Sequence, residues 1–548
     1  MLHIVHHELC ILGTLTPEEI LMRRIILLAL LTAAPLLSYA SDWIVPDLNI
    51  GEPKLNQSVI KKDLSEGATL YEIKRGTVGK DGYILSTGVI NSQTKQKYID
   101  ELKNLNIPFE VNFAPETAPL GNFIGPIIRI KGFNNQNEAK DKADKLQAKG
   151  LEFNVRYSAQ EGLHTSGPFD ISVLKIDLNK FDGKIVSALA KDTIQGAESV
   201  TSMIDRKKAI AGVNGGFFAF DNSVGDYGAP AGIYVSNGEL IREATNNRPV
   251  IIFDNSGNKT NVFFGTSVVT KSFITQGDLS YQINGLNRVP GKLLNCGGYE
   301  SKPTEKPVHD FVCHNDNEVI AYNRMYGNHT PNVTATEIII NKRGDIISYS
   351  DKVNTKIESD KTYIQVTGNK KLELKKDIPV KLVHKVFIDN KEFTLKPGIT
   401  MISAGPSLLV NGNIPIEIRA TQGWDPYPKI KDLNQSQDDD GLSLANDSEN
   451  REGFYEGWVL RRHPRTAIGI TKDNVLFIAV VYGRNPTNSE GATITEMGRL
   501  MKALGAITAM NLDGGGSSVM IVDGKPTGPF SDEEERLVSD AILLIKNN

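Results

Sequence analysis

Apolar residues recur along this chain with different spacings in different regions, and the changes in spacing divide it. Residues 83–89 form an apolar-rich run that predicts a strand. Residues 95–105 follow with Tyr98, Ile99, Leu102 and Leu105 on one helical face. Phe109-Glu110-Val111-Asn112-Phe113 then alternates as a half-buried strand does. The same order returns in residues 127–130 (strand), 137–149 (helix, with Ala139, Ala143 and Leu146 inward) and 153–157 (strand). Two βαβ halves of similar length predict a small four-stranded sheet carrying two helices on one face.

From about residue 165 the pattern shortens. Residues 173–177, 233–235, 250–253, 336–341, 363–366 and 475–482 read as strands, separated by turn signals such as Asn237-Gly238. Only two helices are clear: residues 197–207, and residues 493–504 with the stripe Ile494, Met497, Leu500, Met501 and Leu504. The fold class is therefore α+β, with a large β-rich domain preceded by a small βαβ-βαβ (SPOR/ferredoxin-like) domain. The boundaries read as a doubtful extension plus signal peptide over 1–40, a polar linker with Pro46 and Pro53 over 41–65, the small domain over 66–161, and the β-rich domain over 165–547. An acidic loop near 435–452, containing Asp438-Asp439-Asp440, has the composition of a solvated segment or a lid. It is also where a divalent cation would bind; otherwise no cofactor is expected, and the metal content stays undetermined.

The N-terminus changes the picture of where the protein works. Met22-Arg23-Arg24, an apolar core over 25–37 and Ser38-Tyr39-Ala40 make the pattern of a secretory signal peptide, cleaved after Ala40, with Met22 as a candidate true start. The apolar core is too short for a comfortable membrane span, so none is expected once it is removed. The expected location is secreted or periplasmic, associated with the cell envelope. Of three cysteines, Cys10 precedes the signal, leaving Cys296 and Cys313 to form one disulfide. A net charge of −4 and a pI near 6.2 argue against nucleic acid as a partner.

The candidate chemistry sits where strands run into glycines. Met510-Asn511-Leu512-Asp513-Gly514-Gly515-Gly516-Ser517-Ser518 follows one apolar run and precedes another. Three successive glycines let a ligand approach the main-chain N–H groups, which can form an anion-binding concavity beside Asp513. Asn214-Gly215-Gly216-Phe217-Phe218 repeats the theme. Arg465-Thr466-Ala467-Ile468-Gly469 places a guanidinium at a strand mouth, where it would match phosphate oxygens, with Thr466 adding a hydroxyl. Neighbouring Arg461, Arg462 and His463 read as solvated or structural.

These segments, with Glu496-Met497, occur in the order found in the phosphodiester glycosidase family, which the chain resembles over about residues 165–546. The resemblance implies a hydrolase that cleaves a sugar from a phosphodiester at its anomeric carbon. Glycosidic cleavage generally uses two carboxyl groups. Asp513 is the first choice and Glu496 the second. Asn214 and Asn511 suit sugar hydroxyls. Gly215, Gly216, Arg465, Thr466, Gly514, Gly515, Gly516 and Ser517 complete the expected substrate site. Tyr482-Gly483-Arg484 stands where many relatives have Asp-Gly-Arg, a departure that bears on the substrate. The small domain resembles the SPOR domains that bind peptidoglycan, on cues at Gly88, Gly132-Phe133 and the alanine-bearing second helix; the alternative is an unrelated ferredoxin-like module. The expected substrate is a glycan or glycopolymer phosphodiester, with peptidoglycan a partner of the small domain. The competing classes are a non-catalytic envelope protein that binds glycans through the same pocket, and an ordinary exo-glycosidase.

Overall fold

The computed structural model describes residues 43–113, 119–121, 124–162, 164–297, 307–425 and 454–547. From Pro46 onward the chain is one compact unit. The expected signal peptide and the acidic run at 438–440 fall outside the described residues.

Strands dominate, as the patterning requires. A seven-stranded antiparallel sheet runs in the spatial order Gln57–Ser65, Ala68–Arg75, Phe169–Asp177, Val475–Val481, Arg465–Ile470, Thr508–Asn511, Ser407–Leu409. Its central strands are buried over most of their length, which explains their near-continuous apolar sequences. A second sheet of five strands orders Lys525–Pro526, Met520–Val522, Ala211–Asn214, Asp540–Lys546 and Gly183–Leu189. The strands Thr508–Asn511 and Met520–Val522 lie in different sheets, so the Asp513–Ser518 turn bridges the two. An eight-stranded sheet and another of five share a separate apolar core, including Val250, Ile274, Ile338, Ile364 and Val386.

The small domain forms the sheet order Glu110–Phe113, Pro126–Phe133, Tyr83–Val89, Asn154–Tyr157, all antiparallel. Helices Ser92–Asn104 and Gln136–Gln147 pack on one face through Tyr98, Leu102, Ala139, Ala143 and Leu146 against Leu85, Ile128 and Ile130.

The linker expectation is corrected. Residues 57–65 form a strand paired residue by residue with Ala68–Arg75 and joined to it through Gly67 at φ +78°. This is an edge strand exposed along most of its length, with Val59 40% and Ile60 67% exposed, so it lacks the alternation that announces a strand. The boundary at 66 is corrected with it: Ala68–Arg75 belongs to the seven-stranded sheet, so the β-rich domain takes its first two strands from before the four-stranded sheet, which begins at Tyr83.

Candidate active site

Asn214, Thr466 and Asp513 converge. The strand Ala211–Asn214 delivers Asn214 fully buried, its Nδ2 donating to the Asp513 carbonyl at 2.8 Å. Thr466 Oγ1 donates to Asn214 Oδ1 at 2.7 Å, and Asp513 N donates to the Gly215 carbonyl at 3.0 Å. These bonds tie the two sheets together at the Asp513 backbone. They also correct the expectation for Asn214 and Thr466, which lock the turn in place. Asn511 is likewise buried, and its Nδ2 donates to the Gly405 carbonyl at 3.1 Å.

The pair Gly215-Gly216 serves the interior as well. A Cβ at Gly215 would collide with the Asp540 carboxylate, and Gly216 N donates to Asp540 Oδ1 at 2.9 Å. The glycines make room for this buried carboxyl group, with Ser539 Oγ donating to its other oxygen at 2.6 Å.

Around Asp513 the chemistry is open. Its Oδ1 accepts from Gly514 N at 2.8 Å. Loss of water pushes the carboxyl up to about 6; the Ser517 hydroxyl, the Gly514 N–H and the Arg536 guanidinium pull it down, and Asp310 adds to the rise. A carboxyl poised there changes protonation near neutral pH, as acid–base or nucleophilic work on a sugar requires.

Within the glycine turn, Gly514 N is bonded to Asp513 and Gly515 N to the Pro464 carbonyl at 2.9 Å. With these two N–H groups engaged within the protein, guanidiniums are the cationic donors beside the turn. Arg465 is 1% exposed; its Nε donates to the Ala492 carbonyl at 3.1 Å and its Nη2 to the Trp458 carbonyl. Its Cζ stacks on the Trp458 ring at 4.7 Å. Its Nη1 is 3.7 Å from where a Cβ on Gly514 would stand. Burial and the charge of Arg484 lower its pKa to about 9 while Asp513 opposes the fall. Arg484 Nη2 lies 3.0 Å from a Cβ position on Gly515, and a Cβ on Gly516 would collide with Asp532 and press on Arg536. Arg484 Nη1 donates to Asp532 Oδ1 at 2.7 Å, and Arg536 Nη2 donates to Oδ2. The turn is thus edged by three arginines. Arg484 lay within a segment already singled out in the sequence; Asp532 and Arg536 sit in an acid-rich stretch with no pattern to reveal them.

Phe217 leads from the first glycine pair into an aromatic cluster: its ring is 4.6 Å from His309 and 6.1 Å from Trp458, and His309 stacks on Trp424 at 4.8 Å. His309 precedes Asp310 inside the loop closed by Cys296 and Cys313, whose Cα atoms are 5.9 Å apart.

Glu496 is corrected. Both of its oxygens are engaged: Arg462 donates to them at 2.7 and 2.9 Å, Gly51 N to Oε1 at 3.1 Å and Thr493 N to Oε2 at 3.0 Å. With Thr493 Oγ1 accepting from Glu496 N, this is the capping box of helix Ile494–Ala503. Glu496 is a structural carboxylate. His463 is structural too; its Nε2 is 2.7 Å from the Gly457 carbonyl, and burial holds its pKa well below the usual range, so it is neutral. Among the described residues, no group of three or more His, Cys, Asp and Glu could hold a metal ion.

This geometry can be set beside known proteins. Residues 297–545 match the family model described as phosphodiester glycosidase. That stretch is a little under half of the chain. It contains Arg465, Arg484, Asp513 and the glycine turn, whereas Asn214 and the first two strands of the large sheet precede it. The chain is similar to a candidate exported protein of Burkholderia pseudomallei, with 26% identity and a TM-score of 0.80 over 92% of this chain and 100% of that one. A hypothetical protein from Synechocystis shares the fold at 16% identity and a TM-score of 0.50, over 90% of this chain and 82% of that one. A prophage-derived uncharacterized protein of Bacillus subtilis, YomE, is 40% identical over 106 residues, 19% of this chain. That match spans only 16% of the YomE sequence. The family description points to hydrolysis of phosphodiester-linked sugars.

Proposed function

We propose that this protein is an exported hydrolase that cleaves the glycosidic bond of a sugar-1-phosphodiester in a cell-envelope glycan or glycopolymer. The observation that carries this reading is the adjacency of a carboxyl raised to about 6, Asp513, to a glycine turn edged by Arg465, Arg484 and Arg536. The guanidiniums hold the phosphodiester, and the glycines admit it to Asp513.

In the reaction, the bond between the anomeric carbon and the phosphate oxygen breaks, water supplies the new hydroxyl of the sugar, and a phosphomonoester leaves. Ionised Asp513 acts on the anomeric carbon, directly or by activating the water, as the oxocarbenium-like state develops. The phosphate is a weakly basic leaving group, so no second strong acid is required, consistent with the structural engagement of Glu496. Asp310, whose charge acts on Asp513, is a candidate for a supporting carboxylate. Association with peptidoglycan through the small domain remains part of the reading; the surface used would be other than the sheet face packed on the β-rich domain.

The test is Asp513→Asn assayed on a panel of sugar-1-phosphodiesters. Turnover should fall by about a thousandfold or more, with substrate still bound. Full activity in the variant removes Asp513 from the mechanism. Binding without turnover by the unaltered protein points to a glycan-binding protein, and equal rates on a simple glycoside point to an ordinary glycosidase.

A further inference from the structure

The sheet face of the small domain that points away from its helices is occupied. Ser86, Arg129 and Arg156 project from it, the first two buried and the third 11% exposed at its side chain. Arg129 and Arg156 both reach Glu161, at 2.6 and 3.0 Å. Arg156 Nη1 also crosses to Glu456 of the β-rich domain at 3.3 Å, and Arg461 stands 3.6 Å from Glu161. Backbone contacts seal the same boundary: Arg462 N donates to the Gln160 carbonyl at 2.9 Å, and Gly162 lies so close to the Leu460 carbonyl that a Cβ there would collide.

Glu456 opens the π-helical turn Glu456–Leu460. That turn holds the active-site arginine. The Trp458 carbonyl accepts from Arg465 Nη2, the Trp458 ring lies over Arg465, and the Arg461 carbonyl, just past the turn, stands 3.4 Å from the same Nη2. The Gly457 carbonyl meanwhile fixes His463.

We propose that the small domain is a working part of the active site, with Arg156 as a positioning residue that orients Arg465 through the Glu456–Leu460 turn. The proposal rests on the reading of Arg465 as a phosphodiester contact. Arg156 is the guanidinium that pairs directly with Glu456 across the boundary, while Arg129 and Arg461 act on it only at longer range; a buried carboxyl deprived of that direct partner takes up a proton or turns toward water. Either response moves the turn, and Trp458 moves with it. Arg465 then loses the carbonyl and the ring that hold its free Nη1 toward Gly514. Displacing a group that meets the substrate by a fraction of an ångström weakens binding before it alters the reacting carboxyl. The two-domain contact is thereby tied to affinity for the phosphate.

The test uses the full chain and compares Arg156→Met, Arg156→Lys and Arg129→Met. Arg129 belongs to the same cluster but does not touch Glu456. Arg156→Met should raise KM for a sugar-1-phosphodiester about tenfold while changing kcat less than about threefold. Arg156→Lys should fall between it and the unaltered protein, and Arg129→Met should leave KM unchanged. Trp458 emission, isolated by subtracting a Trp458→Phe background, should shift to longer wavelength in Arg156→Met alone. An unchanged KM and unchanged Trp458 emission in folded Arg156→Met overturn the proposal, as do equal effects from Arg129→Met. If the unaltered protein hydrolyses no phosphodiester, the functional reading fails, and the Trp458 shift alone decides whether Arg156 positions the turn.

Discussion

Asp513 and Glu490 are both carboxyls deprived of water, and their neighbours set their fates apart. Asp513 has donors at hand and sits beside the glycine turn. With its pKa near 6, and with the ionised form acting on the sugar, kcat/KM should rise as pH climbs through about 6 and level off above 7; a pH–rate profile that is flat there would detach Asp513 from the chemistry. Glu490 is 0% exposed, with neither oxygen hydrogen-bonded in ordinary geometry among the described residues. Burial first, and then Asp81, push it to about 8, against Arg462 and Gln160. An acid raised on folding favours the folded state at low pH, where it is protonated in both states. That contribution fades as pH rises from the unfolded value, about 4.3, through 8. Glu490→Gln should therefore stabilise the protein by about 1–3 kcal/mol near pH 8 and by little near pH 4, readable as a pH-dependent difference in denaturation midpoint. The place of Asp513 was legible because it adjoins three glycines, and its raised carboxyl lies at that turn. Asn214 was misread because an asparagine that locks a turn and one that meets a sugar look alike until its partners are known.

Helix Ile494–Ala503 shows what periodicity can deliver. Its apolar stripe lies where the spacing places it, and the helix starts one residue later than expected because Thr493 is its cap. The same spacing hid the role of Glu496, because a capping-box glutamate and a catalytic one occupy the same kind of position. Glu496→Gln should destabilise the protein by about 2–4 kcal/mol, since it leaves Arg462 buried without its charge partner. The folded fraction should keep its kcat, in contrast to Asp513→Asn, and calorimetry beside active-site-normalised kinetics would separate the two. The strand Gln57–Ser65 was illegible for the opposite reason. It lies at an edge, exposed on both faces, so burial imposes no alternation on it.

At the scale of the molecule, strands Gln57–Ser65 and Ala68–Arg75 complete a sheet whose other members begin at Phe169. Removing residues 1–75 should expose the long apolar strand Phe169–Asp177 as a new edge and yield aggregated or unfolded protein, seen by size-exclusion chromatography and circular dichroism. A soluble monomer with native melting would show that the two strands are dispensable. The four-stranded sheet with its two helices was legible because hydrophobic spacing changes abruptly after it. Its joint with the β-rich domain was not: Arg156 and Glu456 meet across 300 positions of sequence, and no local pattern pairs them.

The register of the second and third strands of the large sheet has one more consequence. Ala68–Arg75 pairs antiparallel with Phe169–Asp177, and Arg75 stands opposite Phe169. The chain leaves the β-rich domain and returns to it at adjacent points of one ladder, so the small domain is an excursion from the tip of a β-hairpin. Lineages could gain or shed such a cassette, and an engineer could exchange it for a short turn, without cutting any strand of the sheet that carries Arg465.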